Sequence, residues 1–162
     1  MRTHQGENSM KFLKISDNKV KQAICEDVLR DLPEWFGIEE STKHYIDEVA
    51  KYPFIAVYIG NRAIGFYSLR EENKDTLDMY VLGLKKKYHN KGIGMKLQDY
   101  VNNYAREMGY QYVMVLTLSA SHKDKGYSLT RDFYHKCGFI DIYESNKIWD
   151  ENNPTQIMVK RL

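Results

Sequence analysis

The chain has 162 residues, of which 43% are hydrophobic, so it is long enough for one domain with a real core. Its formal net charge of +2 is too small to indicate nucleic-acid binding, and its two cysteines, Cys25 and Cys137, do not make a disulfide framework. We find no signal peptide and no long apolar run, and therefore expect a soluble cytoplasmic protein without a membrane partner.

Hydrophobic periodicity predicts a mixture of strands and helices. In the first half of the chain we expect a strand at 12–15, a helix capped by Asp17 with Val20, Ile24, Val28 and Leu32 on its apolar face, a helix capped by Ser41, and strands at 54–59, 63–68 and 77–84. We then expect a helix from Ile93 to Met108, a strand at 112–118 buried on both faces, a short helix at 129–137, and strands at 139–143 and 156–162. Residues 147–149 are expected to extend the strand at 139–143 or to pair, before a turn at 150–154. Residues 1–9 are polar and aperiodic, so we expect a flexible leader there and one domain over 10–162.

The strand at 77–84, the turn at 89–94 and the helix that follows form one unit of the sequence. The helix carries a single apolar stripe: Ile93, Leu97, Val101, Tyr104, Ala105 and Met108. Gly92 and Gly94 lie at its start, where bare N–H groups carry about half a positive charge and suit an anion. The pattern predicts a diphosphate cradle, although neither a P-loop nor a complete dinucleotide fingerprint is present.

The turn resembles the [QR]-x-x-G-x-[GA] motif of the GNAT superfamily, the acetyl-CoA-dependent N-acetyltransferases. Gly92 and Gly94 match this motif, whereas His89 stands where Gln or Arg is usual. The late helix resembles the second signature of the family, Y-x-x-x-G-F, with Tyr134 as its tyrosine. A narrower likeness to an uncharacterised bacterial-type subgroup rests on these segments: 32–37, 117–119, 130–134 and 153–154.

The resemblance implies an α/β (α+β) fold with a mixed twisted sheet of about six or seven strands, splayed after strand 4 and flanked by about four helices. It also implies acetyl-CoA as cofactor and transfer of the acetyl group to a primary amine of a small molecule or peptide, by direct attack in a ternary complex. Homodimers are common in the family, so a homodimer is one expected oligomeric state. No metal is expected.

The resemblance further assigns roles to individual residues. Tyr134 is the candidate acid for the leaving thiolate, because a phenol with a pKa near 10 is a suitable proton donor, although a packed core tyrosine is the alternative. Asp78 is the candidate base, with a solvated edge aspartate as the alternative. The expected cofactor-binding residues are Leu82, Gly83, Leu84, His89, Asn90, Lys91, Gly92, Ile93, Gly94, Met95, Thr117, Ser119, Thr130 and Phe133.

Within that set, the main chain of Leu82 to Leu84 is expected to hold the pantetheine arm, with Gly83 allowing a bulge. His89 is expected to cap the cradle. The run Lys85-Lys86-Lys87 is read as a solvated surface rather than a nucleic-acid patch, and its position beside the cradle also suits an anionic cofactor.

Five aromatic side chains are weaker candidates for the walls of the acceptor site: Trp35, Phe36, Tyr45, Tyr127 and Trp149. Aromatic walls favour a cationic amine or a flat ring, but closure of the core by the same residues explains them equally well. The alternative to an enzyme is a non-catalytic acyl-CoA-binding sensor module; a nucleotide-binding module is a further rival.

Overall fold

The computed structural model describes residues 9–122 and 126–162. Its strands and helices have these bounds: β1 Met10–Lys14, α1 Asn18–Arg30, α2 Glu39–Glu48, β2 Phe54–Ile59, β3 Arg62–Asn73, β4 Thr76–Leu84, α3 Ile93–Glu107, β5 Tyr112–Leu118, α4 Gly126–Lys136, β6 Ile140–Asp150 and β7 Asn153–Arg161. All but Ser9 of the expected leader at 1–9 lies outside the described residues, so both the leader and the single domain over 10–162 stay predictions. Within the described residues, no helix combines the length and apolar character needed to cross a membrane.

The strands form one seven-stranded mixed sheet in the order β1-β2-β3-β4-β5-β7-β6. β4 and β5 are parallel, whereas β1 with β2, β2 with β3, β5 with β7 and β6 with β7 are antiparallel. The pairing of β4 with β5 covers Thr76, Leu77 and Asp78, while β4 itself continues to Leu84. Seven strands, four α-helices and a short parallel pairing confirm the fold that the resemblance implied.

The chain divides into two compact units. The first contains the chain up to Arg70 together with Val81–Val101, and so carries β1, β2, α1 and α2. The second contains Glu71–Tyr80 and Asn102–Leu162, and so carries β5, α4, β6 and β7. β3, β4 and α3 each contribute residues to both.

The N-terminal caps of α1 and α2 differ in how well the sequence predicted them. Asp17 caps α1 as predicted, since its carboxylate accepts the N–H of Val20 at 3.0 Å. Ser41 does not cap α2: the helix begins at Glu39, the cap position is Ile38, and that side chain makes no capping hydrogen bond. Glu39 and Glu40 in the first turn of α2 complement the helix dipole instead.

Several predicted faces are only partly correct. Ile24, Val28 and Leu32 are buried, but Val20 is 40% exposed because it lies in the first turn of α1. Met108 is 59% exposed because α3 ends at Glu107. β5 is buried on one face and half-buried on the other, rather than buried on both.

The strands are longer than hydrophobicity alone predicted. β3 continues through charged residues to Asn73, since a tight turn with an Asn73 side chain accepting the N–H of Asp75 leads directly into β4. β6 extends from Ile140 to Asp150, past the predicted end at Tyr143, and includes residues 147–149, where we expected an extension or a pairing. Every residue of β6 except Ser145 is exposed. A solvated strand lacks the alternation of a half-buried one, so the sequence pattern stops before the strand does.

Two glycines permit close packing in the first unit. A Cβ on Gly83 would lie 3.0 Å from side-chain atoms of both Leu32 and Val28, so the bare backbone of β4 accommodates α1 and the residues that follow it. A Cβ on Gly65 would lie 2.9 Å from the carbonyl oxygen of Gly83 and 2.8 Å from a methyl group of Leu84. Strands β3 and β4 therefore approach each other through glycine at this position.

Replacing Gly65 by Ala should lower the free energy of unfolding by about 1–3 kcal/mol, because the new methyl group meets backbone that cannot rotate away. Urea denaturation with an unchanged m-value would measure this. Arg62→Ala, an exposed position on the same strand, is the control and should change stability by less than about 0.5 kcal/mol. Equal stability of Gly65→Ala and wild type would contradict the close approach.

Candidate active site

The N-terminus of α3 is open to solvent. The carbonyl oxygen of Gly92 accepts the N–H of Lys96 at 3.3 Å, so Gly92 precedes the first helical turn, whose leading N–H groups have no intrahelical partner. Asn90 and Gly92 both have left-handed backbone, with φ values of 59° and 77°. A Cβ on Gly92 would meet no heavy atom of the described residues within 4 Å. Backbone donors in an exposed, unobstructed turn are compatible with a phosphate group, and the diphosphate cradle stays a prediction.

The lysine run that precedes this turn is held by acidic residues of the first unit. Lys85 is buried, and its ammonium group lies 2.5 Å from the Asp27 carboxylate. The N–H of Lys86 donates to Asp31 Oδ2 at 2.8 Å, and the Lys86 ammonium group pairs with Glu34. The solvated surface that we expected is therefore wrong for Lys85, whereas Lys86 and Lys87 are exposed. The complement to an anionic cofactor stays a prediction.

Beyond this pair, the turn presents two exposed cations. Lys87 and Lys91 lie 5.8 and 5.9 Å from the centre of the Tyr88 ring. Both side chains are exposed, and Met95 in the first turn of α3 is 44% exposed. These groups stand around the open helix end, where positive charge suits an anionic ligand.

His89 points back towards the end of β4. Its Nε2 atom lies 2.5 Å from the carbonyl oxygen of Leu84, and because a carbonyl oxygen only accepts, Nε2 is the donor. Its ring meets the edge of the Trp35 ring at 6.0 Å between centroids. We expected His89 to cap the cradle, but we did not predict its hydrogen bond to the end of β4.

The strand end expected to hold the pantetheine arm lies in the first unit. Leu82 and Leu84 are half-buried, and Gly83 between them is buried. The need for glycine at 83 is explained by the packing of Val28 and Leu32 against it. The predicted bulge at this glycine stays a prediction.

Tyr134 lies in the second unit, on α4. Its side chain is 3% exposed, and its ring packs against Phe133 and Phe139 at 5.6 and 5.7 Å between centroids. Burial raises the pKa of Tyr134 well above its ordinary value, with smaller contributions from Cys137 and Tyr127. The phenol therefore keeps its proton throughout the neutral range.

The other predicted polar residues of the second unit are mostly buried. Asp78 is 2% exposed and faces Met114 in the β4–β5 register, so the solvated edge aspartate considered from the sequence is wrong. Thr117 is 4% exposed, and Ser119, at 1%, donates its hydroxyl to Glu144 at 2.6 Å. Thr130 and Phe133 are half-buried.

The five candidate aromatics are divided between the units. Trp35, Phe36 and Tyr45 belong to the first, where Phe36 and Tyr45 meet edge to face at 6.0 Å. Tyr127 and Trp149 belong to the second, and Trp149 is 43% exposed on β6. Burial raises the pKa of Tyr45, so its hydroxyl stays neutral.

One feature of the second unit was not anticipated from the sequence. An open cleft of about 820 Å³ lies along the β6–β7 hairpin, lined by Ser121, His122, Tyr143, Glu144, Ser145, Asn146, Lys147, Glu151, Asn152 and Pro154. The hydroxyls of Ser119 and Ser121 donate to Glu144 and lower the pKa of its carboxyl, so this group is ionised at neutral pH. The sequence did not predict this cleft, because the cleft lies along the part of β6 beyond the predicted strand end at Tyr143.

Comparison with solved structures shows where this fold recurs. A GNAT family protein from Desulfovibrio desulfuricans has a TM-score of 0.80 at 15% identity, covering 94% of this chain and 99% of that one. A GNAT family acetyltransferase from Elizabethkingia anophelis with acetyl-CoA bound has a TM-score of 0.72 at 18% identity, covering 94% and 98%. An aminoglycoside 6'-N-acetyltransferase complexed with coenzyme A has a TM-score of 0.72 at 16% identity, covering 93% and 96%. At these identities the likeness establishes the fold.

Comparison with curated protein sequences gives no match. The model of the acetyltransferase (GNAT) family, in contrast, matches residues 21–139, a span that contains the glycine turn and the whole late-helix signature. The resemblance drawn from those two motifs is thereby confirmed. The chain belongs to the GNAT family of acetyltransferases and is an N-acetyltransferase by family.

Proposed function

We propose that the protein transfers the acetyl group of acetyl-CoA to a primary amine of a small molecule or peptide, by direct attack of the amine in a ternary complex. The observation that carries this proposal is the open N-terminus of α3 behind Gly92, whose backbone leaves room for a diphosphate. Acetyl-CoA and coenzyme A in two structures of similar fold support the same cofactor here.

The turn and the first helical turn bind the diphosphate of the cofactor. Their contribution is mainly from backbone N–H groups, with the exposed Lys87 and Lys91 adding positive charge nearby. The residues proposed for this role are Asn90, Lys91, Gly92, Ile93, Gly94 and Met95. Thr117, Ser119, Thr130 and Phe133 remain weaker candidates, and the hydroxyl of Ser119 is already engaged with Glu144.

The end of β4 orients the thioester. Leu82, Gly83 and Leu84 offer main-chain groups to the pantetheine arm, and the N–H of Leu84 donates to the thioester carbonyl as negative charge develops on its oxygen. One such donor is worth roughly 3 kcal/mol of barrier lowering in enzymes where it has been measured. The half-buried side chains of Leu82 and Leu84 are compatible with a ligand that uses the main chain beside them.

Tyr134 protonates the thiolate as it leaves. A buried phenol with a raised pKa is fully protonated at neutral pH, so the proton is available in every turnover. Aromatic packing against Phe133 and Phe139 fixes the ring. An immobilised donor avoids the entropy loss of ordering a mobile one.

The amine loses its proton to Asp78, through a bridging water, or to bulk water directly. The buried position of Asp78 at the start of β4 supports the first route, since the short side chain leaves room for a water molecule. Aromatic groups at Trp35, Phe36, Tyr45, Tyr127 and Trp149 suit a cationic or planar acceptor. In the hairpin cleft, the carboxylates of Glu144 and Glu151 would attract a protonated amine.

The experiment that tests the proposal is thiol release from acetyl-CoA across a panel of small amines and peptides, combined with calorimetry of coenzyme A. Turnover with at least one amine supports the enzyme. Binding of coenzyme A without turnover on any amine supports a sensor module instead. Competition by ATP at equal affinity would indicate a nucleotide module and overturn both.

Tyr134→Phe should slow turnover at least about tenfold with the affinity for coenzyme A kept, because the variant loses the proton and little of the packing. Steady-state kinetics and calorimetry measure the two effects separately. Tyr100→Phe is the matched control, since its ring stacks on Phe12 at 5.1 Å in the first unit and takes no part in the proposed chemistry. Unchanged turnover in Tyr134→Phe would remove the acid role.

Gly92→Asp should weaken coenzyme A binding at least about a hundredfold, because a carboxylate placed in the turn repels the diphosphate and a side chain is strained at φ 77°. Gly109→Asp is the matched control: φ is 89° there, a Cβ meets no described atom within 4 Å, and the position follows the other end of α3. Equal affinity of the two variants would place the diphosphate elsewhere.

The pH dependence of turnover gives a further check on the acid. Tyr134 acts in its protonated form, so activity is lost as the pH rises through its pKa, and burial has moved that pKa above the ordinary value of 10.0. We therefore expect kcat to rise or stay level between pH 7 and about 10 as the amine deprotonates. A fall in kcat centred near pH 8 that disappears in Tyr134→Phe would contradict this assignment.

A further inference from the structure

The side chain of His89 closes the segment between β4 and α3 onto itself. Its Nε2–H donates to the carbonyl oxygen of Leu84, five residues earlier, at 2.5 Å. Between them, the N–H of Tyr88 donates to the carbonyl oxygen of Lys85 at 2.9 Å, and the N–H of His89 donates to the carbonyl oxygen of Lys86 at 3.0 Å. The last residue of β4 and the first residue of the glycine turn are thus joined through one imidazole ring.

We propose that His89 is a positioning residue for the acetyl donor, acting through the Leu84 peptide rather than by contact with the cofactor. This inference rests on the proposed function, since it concerns the strand end and the turn assigned there to the thioester and the diphosphate. The Leu84 carbonyl belongs to the Leu84–Lys85 peptide, whose N–H donates to the Ile64 carbonyl, so the imidazole and β3 hold this peptide from both of its polar groups. A fixed peptide after Leu84 restrains the end of the strand that is proposed to orient the thioester. The hydrogen bond of the imidazole also fixes the entry of the chain into Asn90 and Gly92.

Other contacts of the segment show why this bond is needed. The N–H of Lys85 donates to the carbonyl oxygen of Ile64 on β3 at 2.9 Å, and the N–H of Lys86 donates to Asp31 Oδ2 at 2.8 Å. These two bonds anchor the beginning of the segment on the sheet and on the residues after α1. His89 provides the corresponding anchor at its end, immediately before the left-handed turn.

Trp35 holds the imidazole from the other side. The edge-to-face contact, with centroids 6.0 Å apart, limits rotation of the His89 ring. Two properties of His89 are therefore separable: the donor that reaches Leu84 and the ring that meets Trp35. Gln at this position keeps a donor without the ring, whereas Phe keeps the ring without the donor.

The test compares His89→Phe and His89→Gln by calorimetry with coenzyme A and by the dependence of turnover on acetyl-CoA. Because one partly buried hydrogen bond of the turn is lost, we expect His89→Phe to weaken coenzyme A binding and lower kcat/KM for acetyl-CoA by about tenfold. His89→Gln should stay within about threefold of wild type. His89→Ala is a second donor-free variant, so the result does not depend on the folding of one protein.

Glu26→Gln is the control, because Glu26 pairs with Arg30 through an exposed contact within α1, outside this segment, and should change affinity by less than about twofold. Thermal unfolding of every variant distinguishes positioning from bulk stability. A lowered Tm in His89→Phe with unchanged affinity and kinetics would overturn the role, as would equal losses in the Phe and Gln variants. Absence of coenzyme A binding by the wild type would instead overturn the proposed function itself, together with this role.

Discussion

The absence of a side chain at Gly83 is the constraint on which the candidate site depends. Side-chain atoms of Val28 and Leu32 lie 3.0 Å from where a Cβ would be, so α1 and the residues after it pack directly on the backbone of β4. That close packing brings Asp27 and Asp31 within bonding distance of Lys85 and Lys86. The glycine turn that follows is consequently positioned by the same helix that packs behind the strand.

The lysines around the glycine turn have two different environments: some pair with acidic residues of the first unit, and others are exposed beside the turn. The Lys85 ammonium group is buried against Asp27, whereas the exposed Lys86 ammonium group pairs with Glu34 and the Lys86 N–H donates to Asp31. The positive character of the turn is left to exposed backbone N–H groups and to Lys87 and Lys91 around Tyr88. Fixed dipoles that need no reorganisation are an effective way to hold a diphosphate.

The sequence predicted the parts of the structure that depend on local pattern. The apolar stripe of α3, the strand before it and the two glycines of the turn all carry their signal within a few residues. The role of His89 and the burial of Lys85 depend on partners on other elements, such as Trp35 and Asp27, and no local pattern contains them. The β6–β7 cleft was missed for a different reason, since an exposed strand has no hydrophobic alternation to read.

Cys25 has a practical consequence for work on this enzyme. Its thiol is fully buried, and burial, with a smaller contribution from Glu26, raises its pKa to about 12. Only the thiolate reacts with disulfide and alkylating reagents, so Cys25 is silent while the protein remains folded. In a colorimetric measurement of liberated coenzyme A, the thiol of Cys137 therefore adds to the background, whereas the thiol of Cys25 does not. If a second protein thiol begins to react in such a measurement, the protein has begun to unfold.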